Sequence, residues 1–214
     1  LPLFKSLKLN LDELKQKYEI IFVDDGSTDH TLNEIKKLYE TNKKFLKYKA
    51  FMKNFGKTAA LRAGFNKAKG NIIITMDGDL QDDPNEIKNF IKKINRGYDC
   101  VCGWRYKRQD TISKKIVSKI FNLITTKVSG LKFHDLNCGF KAYKSSIKNN
   151  LRISGNLHRY IPVLAYWEGF KIAEIKIKHK PRKFGKSKYG PTRISEGIFD
   201  LLKIFFIYHF KKSL

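Results

Sequence analysis

The chain has 214 residues, with 44 Lys and Arg against 20 Asp and Glu for a formal net charge of +24. Its 42% hydrophobic content, with 16 Phe and 10 Tyr, excludes a disordered chain and suffices for one domain with a substantial core. The charge narrows the partners to anions (nucleic acid, phosphorylated substrates or an acidic membrane surface), although lysines spread along the whole chain also serve as plain solvated surface.

The first residues, LPLFKSLKLNLDELKQKYE, carry no signal-peptide pattern and predict an amphipathic helix with Leu3, Phe4, Leu7, Leu11 and Leu14 inward. YEIIFVDD (18–25) is a short apolar strand ending in acids, and a turn and helix follow in GSTDHTLNEIKKLYE. KYKAFM (47–52) is the next strand, and KTAALRAGFNKAKG (57–70) a helix closing on Gly70. NIIITMD (71–77) is β-branched and apolar throughout, as a strand buried on both faces should be. PNEIKNFIKKINRG is a helix with Pro84 in its first turn, and YDCVCGW a strand. Cys100 and Cys102 alternate on one face of that strand; with Cys138 they form an odd set lacking a second ligand pair, so they read as reduced core thiols rather than a zinc site. The alternation predicts an α/β fold on a mostly parallel, twisted sheet.

The second half is less regular: a basic amphipathic helix at 113–127, a DLNCGFKAY turn, a helix around 158–168 and a strand at 171–178. The loop HKPRKFGKSKYG (179–190) holds five Lys or Arg and two Gly, a composition suited to closing over an anion. The tail, RISEGIFDLLKIFFIYHFKKSL, is too short for a membrane span of about 20 apolar residues. Wound as a helix, it has a narrow polar stripe of Glu196, Asp200, Lys203 and Lys211, and it either packs on the domain or lies in a membrane interface.

Ligands of such sheets bind beyond the carboxyl ends of the strands, which here read VDDGSTD, MDGDLQDD and GWRYKR. In MDGDLQDDP (76–84) four carboxylates, Asp77, Asp79, Asp82 and Asp83, crowd one turn of a very basic chain. Asp77 and Asp79, at i and i+2, are oxygen ligands spaced for Mg²⁺ or Mn²⁺, with Gln81 as a third oxygen. Such a cation is normally shared with a diphosphate, so basic residues hold anions while the acids hold the metal between them. An acidic turn capping the following helix is the plainer explanation of the same residues, and Asp82 and Asp83, just ahead of Pro84, are assigned to capping. FGKTAA is not a P-loop, because Phe51 stands where that motif needs glycine. Lys57 at a helix N-terminus reads either as an anion contact or as a solvent lysine.

FVDDGSTDHT, NFGKTAALRAGF, GNIIITMDGDLQDDP, GWRYKRQD, DLNCGFKAYK and HKPRKFGKSKYG, in this order over about residues 3–210, resemble the family 2 glycosyltransferases of GT-A fold. Within them the match is to the polyprenyl-phosphate glycosyltransferases, relatives of dolichol-phosphate mannose synthase. The resemblance implies that Asp25, with Asp24 nearby, binds the nucleotide base, and that Asp77, Asp79 and Gln81 hold Mg²⁺ or Mn²⁺ and through it the diphosphate of a UDP- or GDP-sugar. It implies that Arg105, Lys114 and Ser118 grip the phosphate of the lipid acceptor, with Arg159 of NLHRY a further acceptor contact. Many family members have Arg where Lys114 stands, and Lys offers a point charge rather than a fork. Arg182, Ser187 and Lys188 would close over the diphosphate.

The implied reaction is inverting transfer of a sugar to a polyprenyl phosphate, in bacteria undecaprenyl phosphate, at the cytoplasmic face of the membrane. The resemblance implies Asp79 and Arg105 as the catalytic residues, 1–190 as the catalytic domain and 191–214 as an amphipathic interfacial helix. Family members open with a strand and a Pro-x-Tyr-Asn-Glu type motif that lies mid-sheet, and many continue past the tail into transmembrane helices; both are expected outside these 214 residues. Three other readings stand beside this one, among them a non-catalytic membrane scaffold, which requires that Asp79→Ala leave the biological role intact. A soluble saccharide acceptor would need a carboxylate general base. A basic nucleic-acid-binding module would explain the charge but leave the D-x-D unexplained, since acids at the mouth of a site repel phosphates.

Overall fold

The computed structural model describes residues 2–106, 112–150, 157–181, 199–203, 205 and 206, with no side-chain description for 112–117, 149 and 150. The elements run α1 (Pro2–Glu13), β1 (Ile20–Asp24), α2 (Thr31–Asn42), β2 (Leu46–Ala50), α3 (Lys57–Lys67), β3 (Ile72–Thr75), a 3-10 turn (Pro84–Glu86), α4 (Ile87–Asn95) and β4 (Cys100–Arg105). They continue with α5 (Ile112–Ser129), β5 (Lys141–Lys144), α6 (Ser145–Asn150), a 3-10 turn (Leu157–Tyr160), α7 (Ile161–Trp167) and β6 (Ile172–Ile177). The predicted strands and helices of the first half all form.

The larger sheet has the order β3-β5-β4-β6. β5 runs antiparallel to both β3 and β4, whereas β4 and β6 are parallel, so the sheet is mixed and β3, β4 and β6 point the same way. β5 is the element that the sequence hid inside a turn: its four residues, KAYK, carry a lysine at each end. Alternation along the strands divides the interior into two cores. Ile73, Cys100, Cys102 and Tyr143 face a core shared with Phe121 of α5 and Val163 of α7. Val101, Ala142, Phe140 and Ile177 face a second core, filled by Ile87, Phe90 and Ile94 from one side of α4. The three cysteines are buried and free, as expected of core thiols.

β1 and β2 form a separate parallel pair, with Ile20 opposite Leu46 and Asp24 opposite Ala50. Among the described residues β1 pairs with β2 alone and β3 with β5 alone, so the two sheets share no ladder. α1 spans them instead. Phe4 stacks on Phe45 at 6.4 Å beside β2, while Leu7 and Leu11 pack against the cores of both sheets. That is the inward face predicted for this helix.

Candidate active site

Asp77 lies two residues beyond β3, where the chain turns away from the sheet. Thr75 Oγ1 donates to the carbonyl of Gly139 at 2.9 Å, which ties the start of this turn to the loop ahead of β5. A Cβ on Gly139 would lie 2.7 Å from each Asp77 carboxylate oxygen, so the carboxylate rests on bare backbone. Lys57 Nζ donates to Asp77 Oδ1 at 2.6 Å. Burial pushes the Asp77 carboxyl upward, but Lys57 in contact, with Lys141 and Arg105 farther off, outweighs it and holds the group below its ordinary value. Asp79 Oδ1 accepts from the backbone N–H of Gln81 at 3.2 Å across a tight turn in which Leu80 takes φ +63°.

Gln81 is anchored to the chain leaving β6: Lys180 N–H donates to the Gln81 carbonyl at 2.8 Å, and Gln81 Nε2 to the Lys180 carbonyl at 3.3 Å. The loop that carries Arg182, Ser187 and Lys188 therefore departs beside the acidic turn; those three residues lie outside the described part. Asp83 caps the 3-10 turn as expected, accepting from Asn85 N–H at 3.2 Å and Asn85 Nδ2 at 2.8 Å. Asp82 does not cap. It is buried, bridges to His179, and is pushed up to about 6 by burial and by Asp77 and Asp79, with Arg105 opposing. The expectation paired the two acids because they are adjacent; the extended backbone at this point turns them to opposite sides.

These residues fit a hard divalent cation. Asp77 already holds a cationic group, and its cradle has no room for a side chain. Among the described residues no three His, Cys, Asp or Glu side chains converge, so a metal on Asp77 and Asp79 would take its remaining oxygens from Gln81, phosphate and water, as Mg²⁺ sites with few protein ligands do.

The other strand end is built from Asp24 and Asp25. Buried Asp24 accepts from Ser27 N–H at 3.2 Å and from the Ser27 hydroxyl. Asp25 accepts from Phe55 N–H at 2.7 Å and Gly56 N–H at 3.0 Å, the entry to α3. Asp24 thus braces the loop after β1 internally, whereas Asp25 ties that loop to the loop after β2 and retains acceptor capacity, a carboxylate having about four lone-pair sites.

At the end of β4, Arg105 is held edge-on by Asp135: Nε to Oδ2 at 2.7 Å and Nη2 to Oδ1 at 2.8 Å. The pair is largely buried, with side chains 16% and 3% exposed. Asp135 belongs to a loop fixed from all sides. Glu174 of β6 accepts from the backbone of His134 and Asp135, Asn122 of α5 donates to the His134 carbonyl at 2.6 Å, and His134 stacks on Trp104 at 3.9 Å. Lys141, buried at 4% exposure, donates to the carbonyls of Leu136 and Cys138. Ser118 is half-buried one helical turn before Asn122, and Lys114 lies in the first turn of α5, its side chain outside the described part.

Arg159 lines a small cavity together with Lys57, Asn137, Gly139, Lys141 and His158, behind Asp77. His158 bonds through Nδ1 to Thr58 Oγ1 at 2.8 Å and is pushed down to about 3, first by burial and then by Lys57 and Arg159, so it is neutral. The structure thus adds Lys57, Asp82, Asp135, Gly139, Lys141 and His158 to the site. A larger groove of about 500 Å³, lined by Arg96, Tyr98, Tyr166 and Phe170, opens at the opposite end of β4 and β6, remote from every strand-end acid.

The family model for glycosyl transferase family 2 matches residues 2–152. The chain belongs to that family. As a family 2 member it is similar to a dodecaprenyl-phosphate galacturonate synthase of Rhizobium johnstonii, 36% identical over 98% of this chain and 63% of the relative. It is equally similar, at 36% over 89% of this chain and 58% of the relative, to an undecaprenyl-phosphate 4-deoxy-4-formamido-L-arabinose transferase of Photorhabdus laumondii. The chain spans about three-fifths of the length of these curated relatives. Its fold is that of glucosyl-3-phosphoglycerate synthase from Mycobacterium tuberculosis, solved with Mn²⁺, UDP and phosphoglyceric acid, at TM-score 0.66 and 16% identity over 87% of this chain and 67% of that one. The GT-A reading of the family 2 motifs is thereby borne out.

Proposed function

We propose that this family 2 protein transfers a sugar from a nucleotide-sugar to a polyprenyl phosphate at the cytoplasmic membrane face, with inversion and with Mg²⁺ or Mn²⁺. The observation that carries the reading is the contact of Asp77, beyond the end of β3, with Lys57, while Arg105 at the end of β4 is near enough for its charge to act on the same carboxylate, as a metal-bridged diphosphate beside a second phosphate requires. The activities named for the two relatives support the lipid acceptor, and the Mn²⁺ and UDP in the structural neighbour support a metal-bound donor.

Asp77, Asp79 and Gln81 would hold the divalent ion, which when bound would neutralise charge on the leaving diphosphate. The chain's own residues do the rest. Asp24 and Asp25 fix the loop where the nucleotide base would lie. Arg105, oriented by Asp135, presents its remaining N–H groups to the acceptor phosphate, with Lys114, Ser118 and Arg159 as further contacts. Arg182, Ser187 and Lys188, which follow Lys180 in sequence, would contribute contacts to the diphosphate. The acceptor phosphate is already an anion near neutral pH, so no strong general base is needed; positioning two mutually repelling anions in line is the main task.

The tail supports membrane contact. Leu201 is buried in the core and Phe205 packs on Trp167, while Phe199 and Phe206 stand 75% and 55% exposed. No helix among the described residues is long and apolar enough to cross a membrane. One observation favours a soluble saccharide acceptor instead: buried Asp82, held near 6, is a carboxylate of the kind a general base requires.

The test is transfer by the whole protein in membranes, offered labelled UDP- and GDP-sugars with undecaprenyl phosphate, with and without Mn²⁺, beside Asp79→Asn. Metal-dependent label in the lipid phase, lost in the variant, is expected. Label on a soluble saccharide with none in lipid would replace the acceptor and leave only the donor side of the reading.

A further inference from the structure

The sequence left Lys57 undecided between an anion contact and a solvent lysine, and the structure puts it on an anion of the chain itself, the Asp77 carboxylate. Its ammonium lies 2.6 Å from Oδ1 of Asp77, one of the two carboxylate oxygens a metal there could use. The residues on either side are pinned: the Gly56 N–H is bound by Asp25 at 3.0 Å, and the Thr58 hydroxyl is bonded to neutral His158 at 2.8 Å. The backbone of Lys57 is therefore fixed while its four-carbon stem can re-aim the charge. Lys141 and Arg105 add further positive charge to the surroundings of Asp77. A bare divalent cation approaching this carboxylate on the Lys57 side displaces an ammonium that has no other anion offered to it by the ion; a cation that arrives with a diphosphate brings one, because the phosphates accept the displaced ammonium.

We infer that Lys57 is a placeholder for the metal: it neutralises Asp77 until the metal–nucleotide complex arrives, and then moves to the donor's diphosphate. This rests on the functional reading above and deepens it. Metal and nucleotide then bind as a unit, and their coupling resides in one side chain. Removing its charge affects the two ligands in opposite directions, as linkage through a competing cation requires.

The experiment is equilibrium binding to the purified protein, Mn²⁺ alone followed by electron paramagnetic resonance and UDP or GDP in saturating Mn²⁺ followed by calorimetry. It compares wild type, Lys57→Met, Lys57→Gln and Lys57→Arg, with thermal melts to confirm folding. In the Met and Gln variants, Mn²⁺ alone is expected to bind roughly tenfold more tightly and the nucleotide roughly tenfold more weakly. Lys57→Arg, which keeps the charge, is expected to stay near wild type for Mn²⁺ alone. Unchanged or weaker Mn²⁺ binding in both neutral variants, with wild type binding nucleotide normally, would overturn the placeholder and spare the functional reading. Failure of wild type to bind either nucleotide in Mn²⁺ would overturn both.

Discussion

Gly139 and Gly26 show how much of the site depends on missing side chains. The atoms nearest a Cβ at Gly139 all belong to the end of the Asp77 side chain, so Gly139→Ala is expected to leave the melting temperature nearly unchanged while weakening Mn²⁺-dependent nucleotide binding about tenfold or more. Gly26 is different: it takes φ +70°, and a Cβ there would lie 2.4 Å from the backbone carbonyl carbon of Lys53. Gly26→Ala is expected to cost about 2 kcal/mol or more in urea unfolding, from strain and backbone collision together. His158 gives a pH signature. Its folded pKa, about 3, lies below its ordinary value of 6.5, so the unfolded chain takes up the proton first and stability is lost as pH falls from about 6.5 towards 3. Asp82, raised to about 6, works the other way between 6 and its ordinary 3.8. The readout is therefore the difference between wild type and His158→Asn, which should lose less stability between pH 7 and 4.5; parallel curves would place His158 in a wetter setting. At this scale the sequence was legible where spacing carries the chemistry. Asp77 and Asp79 stand out at i and i+2, but Lys141 does not, because in a chain so rich in lysine nothing marks one that is buried and bonded to two carbonyls.

Among the elements, the strands with continuous apolar runs were readable and β5 was not. NIIIT and CVC bury both faces and announce themselves. KAYK is central in its sheet, but only Ala142 and Tyr143 fill the cores, and burial of Lys141 is satisfied by the loop that precedes it rather than by any local pattern. That same loop was legible as a motif and not as a structure: DLNCGF signals a family, whereas the hold of Arg105, Asn122 and Glu174 on it is long-range. Asp135→Asn would leave Arg105 without its counter-charge in a buried setting, and a loss of about 3 kcal/mol is expected from urea unfolding. A loss below about 1 kcal/mol would mean that the pair is better hydrated than its burial indicates.

Over the whole molecule, a charge of +24 surrounds a site whose functional centre is acidic, and the two are complementary when the ligand is a metal-bridged anion. The exposed Phe199, Leu202 and Phe206 of the tail, with Ile120 and Leu123 of α5, leave apolar surface on a basic protein. Phe199→Asp with Phe206→Asp is expected to reduce binding to anionic-lipid vesicles several-fold at unchanged melting temperature, measured by co-sedimentation. The central claim is that the acidic turn after β3 is a metal–diphosphate site. Its most direct test is anomalous scattering from crystals grown with Mn²⁺ and UDP. A peak is expected about 2.1 Å from carboxylate oxygens of both Asp77 and Asp79, with the diphosphate on its far side. A peak bound elsewhere, or diphosphate bound with no metal at these two residues, would contradict it.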